Sequence, residues 1–194
     1  MLLVIDTETT GLTRFSYPDP IRAPDLWPRL VSVAWKRVAV GLTAPAQELI
    51  VKPVGFRIPA AAAAVHGVTQ ERALAEGVTL DAVHRALAVA VAQRRNGEPV
   101  VACCYNAPYD MGVLLSEAKR QGHVRLLRLL GGFQWHCIMQ EARVALGSRD
   151  FLKLEEAAKR LGIDTRGVVF HGAAADVEVS ALALRALAKL KYKS

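Results

Sequence analysis

The stretch LLVIDTETTG, residues 2–11, carries the strongest structural signal in this sequence. Its opening LLVI is an uninterrupted apolar run, which is typical of a central strand covered on both faces. Asp6 and Glu8 follow at the end of that strand, and side chains two residues apart in a strand point to the same side. Two like charges there are costly unless a cation holds them or water reaches them. The stretch predicts a divalent-metal site at the carboxyl end of a strand, although an ordinary polar loop would explain the pair if it stood alone.

The composition indicates one globular α/β domain in an intracellular compartment. The chain has 194 residues, of which 52% are hydrophobic, and this excludes disordered and fibrous classes. No internal repeat or Gly/Ser-rich linker divides the sequence, so we expect residues 1–194 to form a single domain. No segment approaches the roughly 18 apolar residues that cross a bilayer, and the short opening run is unlike a signal peptide. We therefore expect a cytoplasmic protein without a membrane association.

The cysteine content is consistent with an intracellular protein, and the net positive charge indicates what the protein could bind. Cys103, Cys104 and Cys137 form no disulfide framework, which suits a reducing compartment. The formal charge of +7 and the pI near 9.6 predict attraction to polyanions, with nucleic acid as the first candidate. The basic residues that we consider as phosphate contacts are Arg94, Arg95, Lys119, Arg120, Arg125, Arg128, Lys189, Lys191 and Lys193. Solvated helix ends are the alternative explanation for most of them.

Turn signals and hydrophobic periodicity divide the remaining chain into strands and helices. After the first strand, the predicted strands are residues 30–41, 46–52, 99–105 and 133–138. The predicted helices are residues 79–95, 106–122, 139–146, 152–161 and 173–191. A proline-rich irregular segment, residues 14–28, separates the first two strands. Three antiparallel strands followed by helix-linked strands predict a mixed five-stranded sheet with helices on its faces.

Two more carboxylates are candidates for the same site. Asp110 lies in the first turn of the predicted helix 106–122, where it could simply complement the helix dipole. If strands one and four are neighbours, however, their carboxyl ends bring Asp110 towards the acids of the first strand. Asp176 borders the apolar stripe of the last helix. Glu178 is about 200° further round that helix, so we expect it to be solvated and not a ligand.

His171 precedes the last helix and is the candidate general base. It stands five residues before Asp176, in a loop made flexible by Gly172. With an unperturbed pKa near 6.5, an imidazole can accept a proton at neutral pH, although a lone histidine is more often a structural hydrogen bonder. Four carboxylates suit Mg²⁺ or Mn²⁺ better than Zn²⁺, and two such cations are suited to phosphodiester hydrolysis.

These motifs together resemble the DEDDh family of 3′-to-5′ exonucleases, the DnaQ-like group that includes the proofreading subunit of bacterial DNA polymerase III. The matching segments are DTETTGL (6–12), FRIPAAAAAVHGVT (56–69), NAPYD (106–110), LEEAAKRLGI (154–163) and HGAAAD (171–176). The resemblance implies a ribonuclease-H-like fold. It also implies that two divalent metal ions, Mg²⁺ or Mn²⁺, are held by Asp6, Glu8, Asp110 and Asp176, with His171 as the general base.

The resemblance further implies a pocket for the terminal nucleotide of the substrate. Its residues would be Thr9, Gly11, Leu12, His66, Asn106 and Tyr109. Leu12 would lie against the base, although a loop leucine can equally pack into the core. The implied reaction removes nucleoside 5′-monophosphates from single-stranded 3′ ends, of DNA in preference to RNA.

The sequence departs from the family pattern in two places. His136 and Cys137 follow the predicted fifth strand, where many relatives have an acidic residue and a threonine, and the segment 14–28 is longer than usual. We expect His136 to be structural and the segment to modify how the 3′ end enters. The chain also lacks an obvious region that would tether it to a polymerase, which favours a stand-alone nuclease.

Three other functions remain open at this stage. One is a 3′-to-5′ exoribonuclease with the same residues, since nothing visible reads the 2′-hydroxyl. A second is a non-catalytic nucleic-acid-binding domain, against which the complete acidic set argues. The third is an accessory subunit of a polymerase or integrase complex, which co-purification would identify.

Overall fold

The computed structural model of the protein describes residues 1–13, 17–39, 44–92, 94 and 97–191. Arg95 and Lys193, which we considered as phosphate contacts, lie outside these ranges. So do residues 14–16 of the proline-rich segment and the end of the predicted strand 30–41.

One mixed five-stranded sheet forms the centre of the described structure. Its strands are β1 (Leu2–Thr9), β2 (Leu30–Val38), β3 (Gln47–Ile50), β4 (Val100–Cys104) and β5 (Phe133–Cys137). Their order across the sheet is β3-β2-β1-β4-β5. The pairs β1–β2 and β2–β3 are antiparallel, whereas β4 is parallel to both β1 and β5. The predicted sheet, with strands one and four as neighbours, is therefore confirmed.

Eight α-helices are present among the described residues. They are α1 (Ala60–His66), α2 (Gln70–Glu76), α3 (Leu80–Ala92), α4 (Ala107–Arg120), α5 (Val124–Gly131), α6 (Ile138–Ala145), α7 (Leu154–Arg160) and α8 (Ala173–Lys191). The five predicted helices correspond to α3, α4, α6, α7 and α8, with ends within three residues of the prediction. Helices α1, α2 and α5 were not predicted; each has only seven or eight residues, too few to establish a helical period. In the part of the chain that the structure describes, no helix is long and apolar enough to span a membrane.

The two faces of the sheet carry different sets of helices. Leu3 and Ile5 of β1 pack into one core cluster with α3, α4 and α5. Val4, between them, packs into a second cluster with α6, α7 and α8. Because side chains of a strand alternate between faces, Asp6 and Glu8 lie on the same side as Val4 and face α8. This alternation decides which helix completes the site.

The described part of the proline-rich segment packs against α4. Trp27 is only 4% exposed and lies directly over Gly112 of α4. Arg29 and Arg120 both form ion pairs with the fully buried Glu117, at 2.8 and 2.6 Å. Burial alone raises the pKa of Glu117, but hydrogen bonds from Arg29 and Gln121 outweigh it and the pKa lies below its ordinary value. The segment is thus fixed to the helix that carries Asp110.

We predict that Gly112→Ala destabilises the protein. A Cβ atom at this position would stand 1.9 Å from Cη2 of Trp27, a buried ring with little freedom to move. The overpacking cost of about 1–3 kcal/mol exceeds the helix-propensity gain of up to about 1 kcal/mol. Urea unfolding should therefore give a lower free energy of unfolding. Gly131→Ala in α5 is the matched control, because its Cβ would meet no atom within 4 Å. Equal stabilities of the two variants would contradict the packing described here.

Candidate metal centre

Three carboxylates meet where β1 ends under the start of α8. Asp6 and Glu8 project from β1 towards α8, and Asp176 lies in the first turn of that helix. Each of the three offers an oxygen, and these oxygens all lie within 4.8 Å of one another. The structure thus brings together residues that are separated by almost the whole sequence.

Asp110 reaches the same place from the other face of the sheet. It lies in the first turn of α4, directly after β4, and is only 3% exposed. The hydroxyl of Thr7, which lies between Asp6 and Glu8, donates a hydrogen bond of 2.8 Å to its Oδ1. Because β4 runs parallel beside β1, the start of α4 lies at the carboxyl end of β1. All four predicted acids therefore line one pocket.

The four acids interact strongly through their charges. Burial raises the pKa of Asp6 well above its ordinary value, and the charges of Asp110 and Asp176 raise it further. Burial and the same two charges raise the pKa of Glu8 to about 8. Burial raises the pKa of Asp176 to about 6, against the lowering effect of the neighbouring His171. The pocket therefore resists holding four negative charges without a cation.

The donor set fits a hard divalent cation. Oδ1 of Asp176 is buried and has no hydrogen-bond partner, which is costly for a carboxylate oxygen unless a ligand completes it. None of the ion pairs within the described residue ranges involves any of the four acids. Carboxylate oxygens are the preferred ligands of Mg²⁺ and Mn²⁺. The acidic residues can therefore bind a metal ion.

His171 lies at the exposed rim of this pocket. Its backbone φ of 66° is in the left-handed region, which is uncommon for a residue other than glycine. Its backbone N–H and its charge both act on Asp176, whose pKa they lower. The imidazole is thus accessible to water beside one of the four acids.

The residues predicted for the nucleotide pocket form a network next to the acids. The Thr9 and Tyr109 hydroxyls lie 2.7 Å apart, and each lies 2.6 or 2.7 Å from the Gly11 carbonyl oxygen. Leu12, the next residue, projects into solvent and is 85% exposed. The alternative of a core leucine is therefore wrong. The network holds the turn from which Leu12 projects.

Asn106 and His66 take different places around this network. Asn106 is the N-cap residue of α4, but its side chain makes no capping hydrogen bond, and its amide donates to the Tyr17 hydroxyl instead, at 2.7 Å. His66 is buried at the end of α1, where its Nδ1 accepts the Val68 N–H. Burial lowers the pKa of His66, although the nearby Thr9 backbone and the charge of Glu48 act in the opposite direction. His66 is therefore a neutral imidazole close to Thr9.

Glu48 is a neighbour of the site that the sequence analysis missed. Asp6 pairs with Ala34 across β1 and β2, and Ala34 pairs with Glu48 across β2 and β3. Residues directly opposite in a sheet share a face, so Glu48 lies in the same row as Asp6, separated by the small Ala34. Its charge raises the pKa values of both Asp6 and Glu8. Only the register of β2 and β3, which the sequence does not reveal, could have identified it.

Glu178 and His136 lie in ion pairs away from the four acids. Glu178 is not simply solvated, since it pairs with Lys36 at 2.5 Å and accepts the Ala46 N–H. His136 lies 2.6 Å from Glu141, which also pairs with Lys191. His136, Glu141 and Lys191 line a groove of about 860 Å³ beside the start of α4. None of the four acids lines this groove.

Solved structures provide the comparison with known proteins. Exonuclease X in complex with 5′-overhanging duplex DNA matches with a TM-score of 0.65 and 20% identity, over 97% of this chain and 92% of its own. A moderately thermophilic exonuclease I from Methylocaldum szegediense matches with a TM-score of 0.71 and 19% identity, over 99% and 41%. The zinc-ion-bound E. coli exonuclease I–ssDNA complex matches with a TM-score of 0.65 and 18% identity, over 99% and 41%.

These comparisons establish the fold, and the predicted ribonuclease-H-like arrangement is confirmed. The chain spans most of exonuclease X but only about two-fifths of exonuclease I. No protein-family model and no curated protein sequence matches it.

We predict that Asp6→Asn stabilises the metal-free protein at alkaline pH. The folded carboxyls keep protons that the unfolded chain loses near pH 4, so the contribution of these groups to stability is fully present below that pH and is lost as pH rises through about 6 and 8. Removing one charge should raise the melting temperature at pH 8 by about 5 °C, measured by circular dichroism in EDTA. The difference should shrink at pH 4.

Calorimetry should show that the same Asp6→Asn variant binds Mn²⁺ much more weakly than the unsubstituted protein. Asp150→Asn removes an exposed acid and serves as the control for both measurements. An Asp6→Asn variant with the same melting temperature at pH 8 as the unsubstituted protein would contradict the proposed repulsion.

Proposed function

We propose that this chain is a metal-dependent 3′-to-5′ exonuclease that removes nucleoside 5′-monophosphates from single-stranded DNA. The observation that carries the proposal is the convergence of Asp6, Glu8 and Asp176 within 4.8 Å, joined by the buried Asp110. Four neighbouring carboxylates that take part in none of the ion pairs among the described residues are a chemical signature of a site for divalent cations. Their position at the carboxyl ends of β1 and β4 leaves them open to a substrate at the sheet's edge.

The four acids would hold two metal ions, Mg²⁺ or Mn²⁺. When bound, such ions polarise a phosphodiester and stabilise its leaving oxygen. His171 would accept the proton of the attacking water, and the neighbouring Asp176 would stabilise the resulting imidazolium. The exposed position of the imidazole at the rim suits this role, since the proton must afterwards pass to solvent.

The pocket residues would position the terminal nucleotide. The hydrogen bonds among Thr9, Gly11 and Tyr109 hold the turn in one conformation, so that Leu12 can pack against the terminal base without an ordering cost. Asn106 and His66 would border the same pocket. Leu12 is 85% exposed, so its side chain is available for such a contact.

Similar structures support DNA as the substrate. The exonuclease X structure contains 5′-overhanging duplex DNA, and the E. coli exonuclease I structure contains single-stranded DNA together with zinc. By analogy we assign a preference for DNA over RNA to this chain, with Mg²⁺ or Mn²⁺ as the working metals. A single domain over residues 1–194 that acts alone in the cytoplasm completes the proposal. Association with a polymerase or another DNA-processing complex is the alternative to this stand-alone enzyme, and co-purification would identify it.

Digestion of end-labelled oligonucleotides tests this proposal directly. With Mg²⁺, a 5′-labelled single strand should shorten stepwise, whereas a 3′-labelled strand should release labelled mononucleotide at once. Asp6→Ala should lose at least about 100-fold in rate, since it removes one of the four acids that would hold the ions, and Asp150→Asn should cleave normally. An Asp6→Ala protein that degraded DNA as fast as the unsubstituted chain would refute the assignment. Faster digestion of a matched RNA strand would instead support the exoribonuclease.

His171→Gln separates the general base from a metal ligand. We expect its rate of cleavage to fall by about 10²–10⁴-fold, the range for loss of a general base. Its affinity for Mn²⁺, measured by calorimetry, should stay within about twofold, because the four carboxylates remain. Parallel losses of rate and of Mn²⁺ affinity would show that His171 acts through the metal centre and not as the base.

A further inference from the structure

Tyr17 presents an aromatic ring to solvent beside the proposed nucleotide pocket. The residue is 44% exposed, although one face of its ring stacks on Trp27, with centroids 5.9 Å apart and an angle of 11° between the planes. Trp27 itself is buried against α4. One face of the tyrosine ring is therefore covered by a fixed indole, and the rest of the ring contributes the exposure.

Several contacts fix this ring in place. Its hydroxyl accepts a hydrogen bond of 2.7 Å from Asn106, at the start of α4. The Trp27 indole N–H donates to the carbonyl of Pro18, the residue after Tyr17, at 3.0 Å. Tyr17 also has a φ of 36°, in a region that bulky residues rarely adopt and that persists only where surrounding structure imposes it. The chain accepts backbone strain to hold the ring at this position.

The ring lies next to the residues that would receive a 3′ end. It makes a T-shaped contact with Tyr109, with centroids 6.3 Å apart, and the Tyr109 hydroxyl donates to the Gly11 carbonyl just before the exposed Leu12. Its partner Asn106 belongs to the same proposed pocket. Tyr17 therefore extends that pocket with a flat apolar surface, on a segment that carries none of the motifs described above.

We propose that Tyr17 is a stacking platform for one of the last two bases of the substrate strand. The inference rests on the proposed function. An immobilised aromatic ring is well suited to this role, because every base has a π-face and stacking on aromatic side chains does not depend on sequence. The ring loses little conformational freedom on binding, since Trp27 and Asn106 already hold it. The platform requires an unpaired base, so it favours frayed or single-stranded ends over paired ones.

Binding measurements with abasic substrates test the platform. The probe is a labelled 16-nucleotide DNA with a phosphorothioate at its last linkage, bound in Ca²⁺ and measured by anisotropy. Removing a base from one of the last two positions should weaken binding to the unsubstituted protein by about 10-fold, the effect of one lost base–aromatic stack. Tyr17→Ala should weaken binding of the intact strand by a similar factor. The Tyr17→Ala variant should bind the intact strand and the abasic strand with equal affinity.

The double comparison separates stacking from a structural role of Tyr17. If the ring only covers Trp27, Tyr17→Ala will weaken binding of both strands by the same factor relative to the unsubstituted protein. The variant will then still bind the abasic strand more weakly than the intact one, and the platform is wrong. Tyr17→Phe keeps the ring and should retain most of the sensitivity to the missing base, while Val89→Ala is the control for a truncated exposed side chain on α3. Absence of both binding and cleavage in the unsubstituted protein would refute the proposed function itself. Normal cleavage with no effect of abasic sites would refute the platform alone.

Discussion

Repulsion among four carboxylates in one pocket is the constraint on which the rest of the structure depends. Burial and, after it, the charges of the neighbouring acids raise the pKa values of Asp6 and Glu8, and burial raises the pKa of Asp176. Such a cluster persists only if the surrounding scaffold holds it against its own charges. The hydrophobic packing on both faces of the sheet supplies that force, because Leu3, Val4 and Ile5 just before the acids are fully buried.

The four acids come from three different elements: β1 in the sheet, α4 on one face of it and α8 on the other. Thr7 alternates with Asp6 and Glu8 along β1 and reaches across to Asp110 on the α4 side, while Asp176 approaches from the α8 side. The single strand β1 therefore contacts the acid of α4 through Thr7 and lies close to the acid of α8 through Asp6 and Glu8. The ion pairs of Glu117 with Arg29 and Arg120 fix the described part of the proline-rich segment to α4, the helix that also carries Asp110.

Much of this arrangement could be predicted from the sequence, for physical reasons that apply to particular residues. The apolar run before Asp6 identified a central strand, and helix periodicity placed Asp110 and Asp176 in first turns. Strand register was not accessible, so Glu48 went unnoticed although it lies in one row with Asp6. The bond from Asn106 to Tyr17 also escaped prediction, since it joins residues far apart in sequence and replaces a local cap.

The wide separation of Asp6 and Asp176 along the chain has a consequence for synthesis. Three of the acids leave the ribosome well before α8 does, and a nascent polypeptide that lacks this helix has an incomplete centre. The last acid arrives only when almost all of the described chain has been translated. The acidic centre of such a protein cannot be completed until α8 has been synthesised and has packed against the sheet.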